Sequence, residues 1–124
     1  MTANEINGLQ AGQKMDALVA EKALGWEVEA PKHAAGGFGS PWRGRPPGKR
    51  RWDDWDNLPR YSRDISAGLL VLNAWEGDYD IRRQNGQYRV TLYQPPREWE
   101  AWGASLPLAV CRARLLSIEP EVTA

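Results

Sequence analysis

The densest run of side chains able to do chemistry lies between Trp42 and Trp55, where Trp42-Arg43-x-Arg45 is followed by Lys49-Arg50-Arg51-Trp52-x-x-Trp55. Arginine offers a planar fork that matches two phosphate or carboxylate oxygens at once, which lysine does not reproduce. An indole face stacks on a purine ring. The combination suits a mononucleotide-like or dinucleotide-like ligand, or a short single strand. In that reading Trp42, Trp52 and Trp55 stack on the base, while Arg43, Arg45, Arg50 and Arg51 hold the phosphates. Two other readings stay open at this point: a subunit contact, and a solvated loop whose indoles fold back over the core. If the ligand lies elsewhere, the next set of binding candidates is a rim of Tyr61, Arg63, Arg82, Arg89 and Tyr93.

Other chemistries find less support. His33 is the only histidine and Cys111 the only cysteine, so neither a zinc cluster nor an internal disulfide is available. His33 also lacks an identifiable orienting carboxylate and nucleophile. Cys111 sits in the apolar run Leu108-Ala109-Val110-Cys111 and reads as a small buried hydrophobe. Asp53-Asp54-x-Asp56 reads as an acidic run pairing with the arginines upstream rather than as a cation site. Gly36-Gly37-x-Gly39 lacks the strand before it and the helix after it that a phosphate loop needs. The expectation is a binding protein with no catalytic residues, no cofactor and no metal.

The elements around these residues must come from 124 residues, enough for one domain with one core. Sixteen basic residues balance sixteen acidic ones, which argues against a general nucleic-acid coat. Seven Trp are hard to bury in so small a core, so some should line a groove or a subunit interface, and a homo-oligomer is expected. No stretch approaches the ~20 apolar residues of a membrane span. Met1 to Gln13 lacks the basic-then-apolar order of a signal peptide, so a cytoplasmic location is expected.

Residues 1–13 carry little periodicity and read as a flexible tail, with the domain at 14–117 and a second tail at 118–124. Gln13 to Leu24 is helical, with Met15, Leu18, Val19 and Lys22 on one face and Gly25 ending it. Trp26 to Glu29 alternates as a short strand. The segment 31–59 holds five of the nine Pro and five of the twelve Gly, and reads as a long loop without helix or central strand. Ser62 caps a helix from Arg63 to about Trp75, with a stripe of Ile65, Leu69 and Leu72 widened by Leu70 and Ala74. Tyr79 to Gln94 is a hairpin turning on Asn85-Gly86, the favoured pair for a type I′ turn. Pro95-Pro96 stops the strand, Arg97 to Gly103 reads as a loop, and a last helix opens at Ser105 or Leu106. Antiparallel strands with helices on them give an α+β layered sandwich.

Several blocks resemble the phage ABA-sandwich domain family. They are Met15-Asp16-Ala17-Leu18-Val19-Ala20-Glu21-Lys22 with Leu24-Gly25-Trp26, then Pro59-Arg60-Tyr61-Ser62-Arg63-Asp64-Ile65, the hairpin, and Leu106-Pro107-Leu108-Ala109-Val110-Cys111-Arg112-Ala113 with Leu115. They cover most of Met15 to Leu116 in the family's order. The Arg- and Trp-rich stretch from Pro31 to Asn57 lies outside the shared pattern. The resemblance implies a helix–sheet–helix (ABA) sandwich with an antiparallel sheet, and a phage origin. It brings no enzymatic mechanism and no catalytic residues. By analogy with small phage proteins that act against host defences, it points to a sponge sequestering a nucleotide-derived immune signal, of ADP-ribose type or a cyclic nucleotide. The alternative is a protein-interaction module that inhibits a host protein. Single-stranded nucleic-acid binding ranks third.

Overall fold

Asn85-Gly86 reverses the chain between β4 (Asp78–Gln84) and β5 (Gln87–Gln94), which pair antiparallel with Ile81 opposite Val90. In the computed structural model, which describes residues 1–29, 42–48 and 56–118, Asn85 has φ 53° and Gly86 φ 76°. Both signs are those a type I′ turn needs. Val90 and Leu92 point into the core, while Arg89, Thr91 and Tyr93 take the opposite face.

The expected loop from Arg97 to Gly103 is instead a third strand, β6 (Arg97–Gly103), paired along its length with β5. Trp99, Ala101 and Gly103 are buried and alternate with exposed Glu98, Glu100 and Trp102. Alternation is present in the sequence, but Ala and Gly on the inner face are too small to register as a hydrophobic stripe. Pro95-Pro96 ends β5 and occupies the two-residue connection that returns the chain as β6.

The last helix, α4 (Leu106–Ile118), lies across β5 and β6. Nine of its thirteen residues are buried, so it behaves as a core helix rather than an amphipathic surface one. Its other sides meet α3 (Ile65–Asn73), α1 (Ala3–Gly8) and the π-helical turn Val19–Ala23 that extends α2 (Gln13–Leu18). Buried Arg114 ties α4 to that turn, donating from Nη2 to the Ala23 carbonyl at 3.3 Å and lying over the Trp75 ring.

α1 corrects the expected tail over residues 1–13. Thr2 caps it by accepting from the Glu5 N–H at 3.2 Å, and Ile6 is fully buried in the core. Arg112 fastens its end, donating to the Leu9 carbonyl from Nη2 at 2.8 Å and to the Trp102 carbonyl from Nη1 at 2.7 Å. A single buried isoleucine and a distant arginine hold this segment, and neither leaves a periodic trace locally.

The segment 31–59 also departs from the expected loop. Its described part contributes β2 (Arg43–Arg45) and β3 (Asp56–Asn57), which form a second antiparallel sheet with β1 (Glu27–Glu29) in the order β1-β2-β3. β2 is therefore a central strand, short enough to fit between Pro41 and Pro46. The architecture as a whole is α+β, helices layered with antiparallel sheets, the class expected. Among the described residues no helix is long and apolar enough to cross a membrane.

Candidate functional site

β2 sets Arg43 and Arg45 opposite Glu29 and Glu27 of β1, and each arginine forms an ion pair with its register partner. The Arg43–Glu29 contact is 3.4 Å long, with the Arg43 side chain 45% exposed. Between the pairs Gly44 faces Val28, and a Cβ on Gly44 would lie 2.5 Å from Leu58 Cδ2 and 2.7 Å from the Trp26 ring. The small sheet thus closes tightly over the core.

Trp42 stands immediately before this strand and forms one wall of a cleft of about 210 Å³. Lys14, Leu18 and Glu21 of the first helical segment and Val28 of β1 complete the lining. The cleft joins an indole face, an ammonium and an apolar floor; Arg43 and Arg45 do not line it, because strand alternation sets them with Glu29 and Glu27 on the face opposite Gly44 and Val28. Lys14 is a member that the sequence did not single out. It sits at the start of an amphipathic helix, where an exposed lysine carries no distinguishing signal. Arg50, Arg51, Trp52 and Trp55 lie outside the described residues, as do His33, Asp53, Asp54 and the glycines at 36, 37 and 39.

The expected rim of Tyr61, Arg63, Arg82, Arg89 and Tyr93 does not assemble. Tyr61 is buried in the core. Arg82 and Arg89 share the outer sheet face with Tyr93, where Arg82 pairs with Asp80 at 3.0 Å and Arg89 with Glu100 at 3.5 Å. Arg89 also lies over the Trp102 ring, 5.7 Å from its centroid. Arg63 belongs to another neighbourhood, a shallow cleft of about 450 Å³ lined with Ile65, Tyr88, Ser105 and Pro107. The alternation of β5 separates these residues, because Tyr88 points inward and its neighbour Arg89 outward.

Arg63 is oriented by Asp16, an acid buried to 1% exposure that the sequence reading placed only within a helical block. Its Oδ1 accepts from the Ser62 N–H at 2.8 Å and from the Ser62 hydroxyl at 2.6 Å, and its Oδ2 accepts from Arg63 Nη2 at 2.9 Å. Ser62 Oγ in turn accepts from the Gly12 N–H at 3.0 Å. Ser62 was expected to cap α3, but Asp64 does so, accepting from the Ser66 N–H. The serine is instead part of a buried polar junction between α2 and the turn before α3.

Cys111 is buried beside this junction. Burial, and then the Asp16 carboxylate, push its thiol far above the ordinary range, and Tyr61 is raised by burial, Asp16 and Cys111 in that order. Such a thiol is neither nucleophile nor metal ligand. Its raised value fixes the sign of the alkaline response. The unfolded chain releases the thiol proton near pH ~8.5, whereas the folded one keeps it, so the folded state binds more protons above that point. Stability should hold below pH ~8.5 and fall above it by up to ~1.4 kcal/mol per pH unit from this one group. Urea melts on the parent and Cys111→Ala across that range check this. The variant should lose the extra slope, and identical slopes would count against the assignment. Among the described residues no group of three or more His, Cys, Asp or Glu is placed to hold a metal.

The phage ABA sandwich domain model matches residues 17–115 of the chain. The chain belongs to that family. The match takes in the helical block at Ala17, the hairpin and most of α4, which are the segments that build the core. This phage ABA sandwich domain is similar in structure to a phage protein from Bacillus cereus, with a TM-score of 0.63 and 19% identity over 88% of this chain and 92% of that one. At that identity the likeness speaks for the fold. No curated protein matches the chain.

Proposed function

We propose that this phage ABA sandwich domain is a non-enzymatic binding protein that sequesters a small phosphate-bearing ligand, a nucleotide-derived immune signal of ADP-ribose or cyclic-nucleotide type. The observation that carries the reading is the cleft that Trp42 and Lys14 line together, with Leu18 and Val28 as its apolar wall. The indole would stack on the base, and the cations would hold the phosphates. The ion pair of Arg43 with Glu29 is surface-exposed and therefore worth ~0–1 kcal/mol, so a phosphate competes with it.

A second reading, a module that covers and inhibits a host protein with the same segment, draws on the charge balance. Arg43 and Arg45 each already face a glutamate, and such a balanced polar surface suits a protein rim as well as an anion. Single-stranded nucleic acid is the weakest reading, since the chain has no net positive charge. Protein purified from cells making TIR-type or cyclase-type signals, then denatured and examined by mass spectrometry, tests the choice. The proposal expects release of a phosphate-bearing small molecule in near-stoichiometric amount. Release of none, with a host protein retained instead, would reverse the order of the two readings.

A further inference from the structure

Most of the stripe expected to pack α3 onto the core faces outward, with Leu72 alone buried as expected. α3 buries Ala67, Gly68, Val71 and Leu72 against the core and leaves Ile65, Leu69 and Leu70 at 55%, 39% and 58% exposure. Close approach explains the inversion. A Cβ on Gly68 would lie 2.8 Å from the Pro107 Cβ and 3.2 Å from the Tyr61 carbonyl oxygen, so only a residue without a side chain fits there. The helix is locked with its Gly68 side inward, and it cannot roll to bury Leu69 and Leu70. Every large aliphatic residue that is exposed among the described residues lies on this one helix. Three such residues in one place form a patch rather than the usual scatter. The helix, Ile65-Ser66-Ala67-Gly68-Leu69-Leu70-Val71-Leu72-Asn73, contains no charged residue, which is unusual for a face left to water.

The charges stand at its ends. Arg60 and Arg63 precede the helix, and Glu76 and Asp78 follow it. Arg63 is engaged by Asp16, and Asp64 by its cap to Ser66. Arg60 and Glu76 are exposed, and neither makes an ion pair among the described residues.

We propose that α3 is the interface of a symmetric homodimer, packed antiparallel against α3 of a second copy. A two-fold axis across the middle of the helix brings Ile65, Leu69 and Leu70 of both copies together. It sets Arg60 of each copy near Glu76 of the other and opposes the two helix dipoles. A parallel arrangement would place like charges at each end, so the charge pattern selects the antiparallel one. The proposal is independent of ligand binding at Trp42, because none of Ile65, Leu69 and Leu70 lines that cleft.

Sedimentation equilibrium on the full chain across the micromolar range is the test. The expected mass is twice the 14.0 kDa protomer. Leu70→Glu should weaken association ~100-fold or more, as for a charge placed at the centre of an interface. Arg60→Glu and Glu76→Arg should each weaken it ~10-fold, and the combined variant should recover the parent value. Thermal melts confirm that these exposed substitutions leave the fold intact. Three results would overturn the proposal: a monomer throughout, a dimer indifferent to Leu70→Glu, or a monomer whose α3 binds a helix of a host protein. Failure of the combined variant to recover would overturn the antiparallel register.

Discussion

Asp16→Ala should destabilise the domain by ~3–5 kcal/mol, because it removes a buried carboxylate whose hydrogen bonds, made to a charged group, are worth ~1.5–3 kcal/mol each. The carboxylate accepts three hydrogen bonds, two of them from Ser62. Truncation strands the buried Ser62 N–H, at ~1–3 kcal/mol, and leaves its hydroxyl only the longer 3.3 Å contact to the Gly12 carbonyl. Asp16→Asn keeps the volume, but its amide turns a donor toward a donor, so an intermediate loss is expected. Arg63→Ala leaves the buried Asp16 carboxylate without its cation, but Arg63 is 36% exposed and water can enter its place, so a smaller loss of ~1–3 kcal/mol is expected. Thermal melts on the three variants check the order. A midpoint for Asp16→Ala within a degree or two of the parent would show that the junction contributes little.

Trp99→Ala should cost a similar ~3–5 kcal/mol, the usual price of emptying a buried aromatic site. Trp99 is 6% exposed, stands opposite Leu92 in the sheet and meets Trp75 edge to face with centroids 5.8 Å apart. The aromatic pair accounts for ~0.5–1.5 kcal/mol beyond burial, so a double-mutant cycle with Trp75→Ala should show coupling of that size. Trp102→Ala provides the contrast. It projects from the outer face of the same strand beneath Arg89, and its loss should stay below ~1 kcal/mol. Denaturant melts that gave equal losses for Trp99→Ala and Trp102→Ala would contradict the alternation of β6. Against a typical domain stability of ~5–15 kcal/mol, Asp16→Ala or Trp99→Ala alone leaves little reserve.

Local chemistry made part of this molecule legible. The hairpin could be placed from Asn85-Gly86 because few residue pairs tolerate two positive φ angles. The end of the first helical segment at Gly25 and the start of α4 near Pro107 were readable for similar reasons. What escaped was set by contacts distant in sequence. Ile6 and Arg112 order the N-terminus across more than a hundred residues. Ser62 looks like a cap until Asp16 claims it. The stripe on α3 was read correctly as apolar and Leu72 is buried as expected, but Ile65 and Leu69 face outward, since Gly68 against Pro107 decides which face goes inward. At the candidate site, residue types pointed to Trp42, while Lys14 emerges only when α2 and β1 are brought alongside, and Arg43 and Arg45 prove to pair with Glu29 and Glu27 outside the cleft lining. The proposed rim failed because Tyr61 is drawn into the core and Arg63 is held by Asp16, away from the sheet face that Arg82, Arg89 and Tyr93 share.

The central claim is that the Trp42 cleft binds a phosphate-bearing ligand, and calorimetric titration with ADP-ribose tests it most directly. The account predicts saturable binding to the parent that weakens as salt rises. It also predicts a loss of ~10–100-fold in Trp42→Ala, from ~1–3 kcal/mol of stacking at 1.4 kcal/mol per factor of ten. Affinity unchanged in a folded Trp42→Ala variant would contradict it.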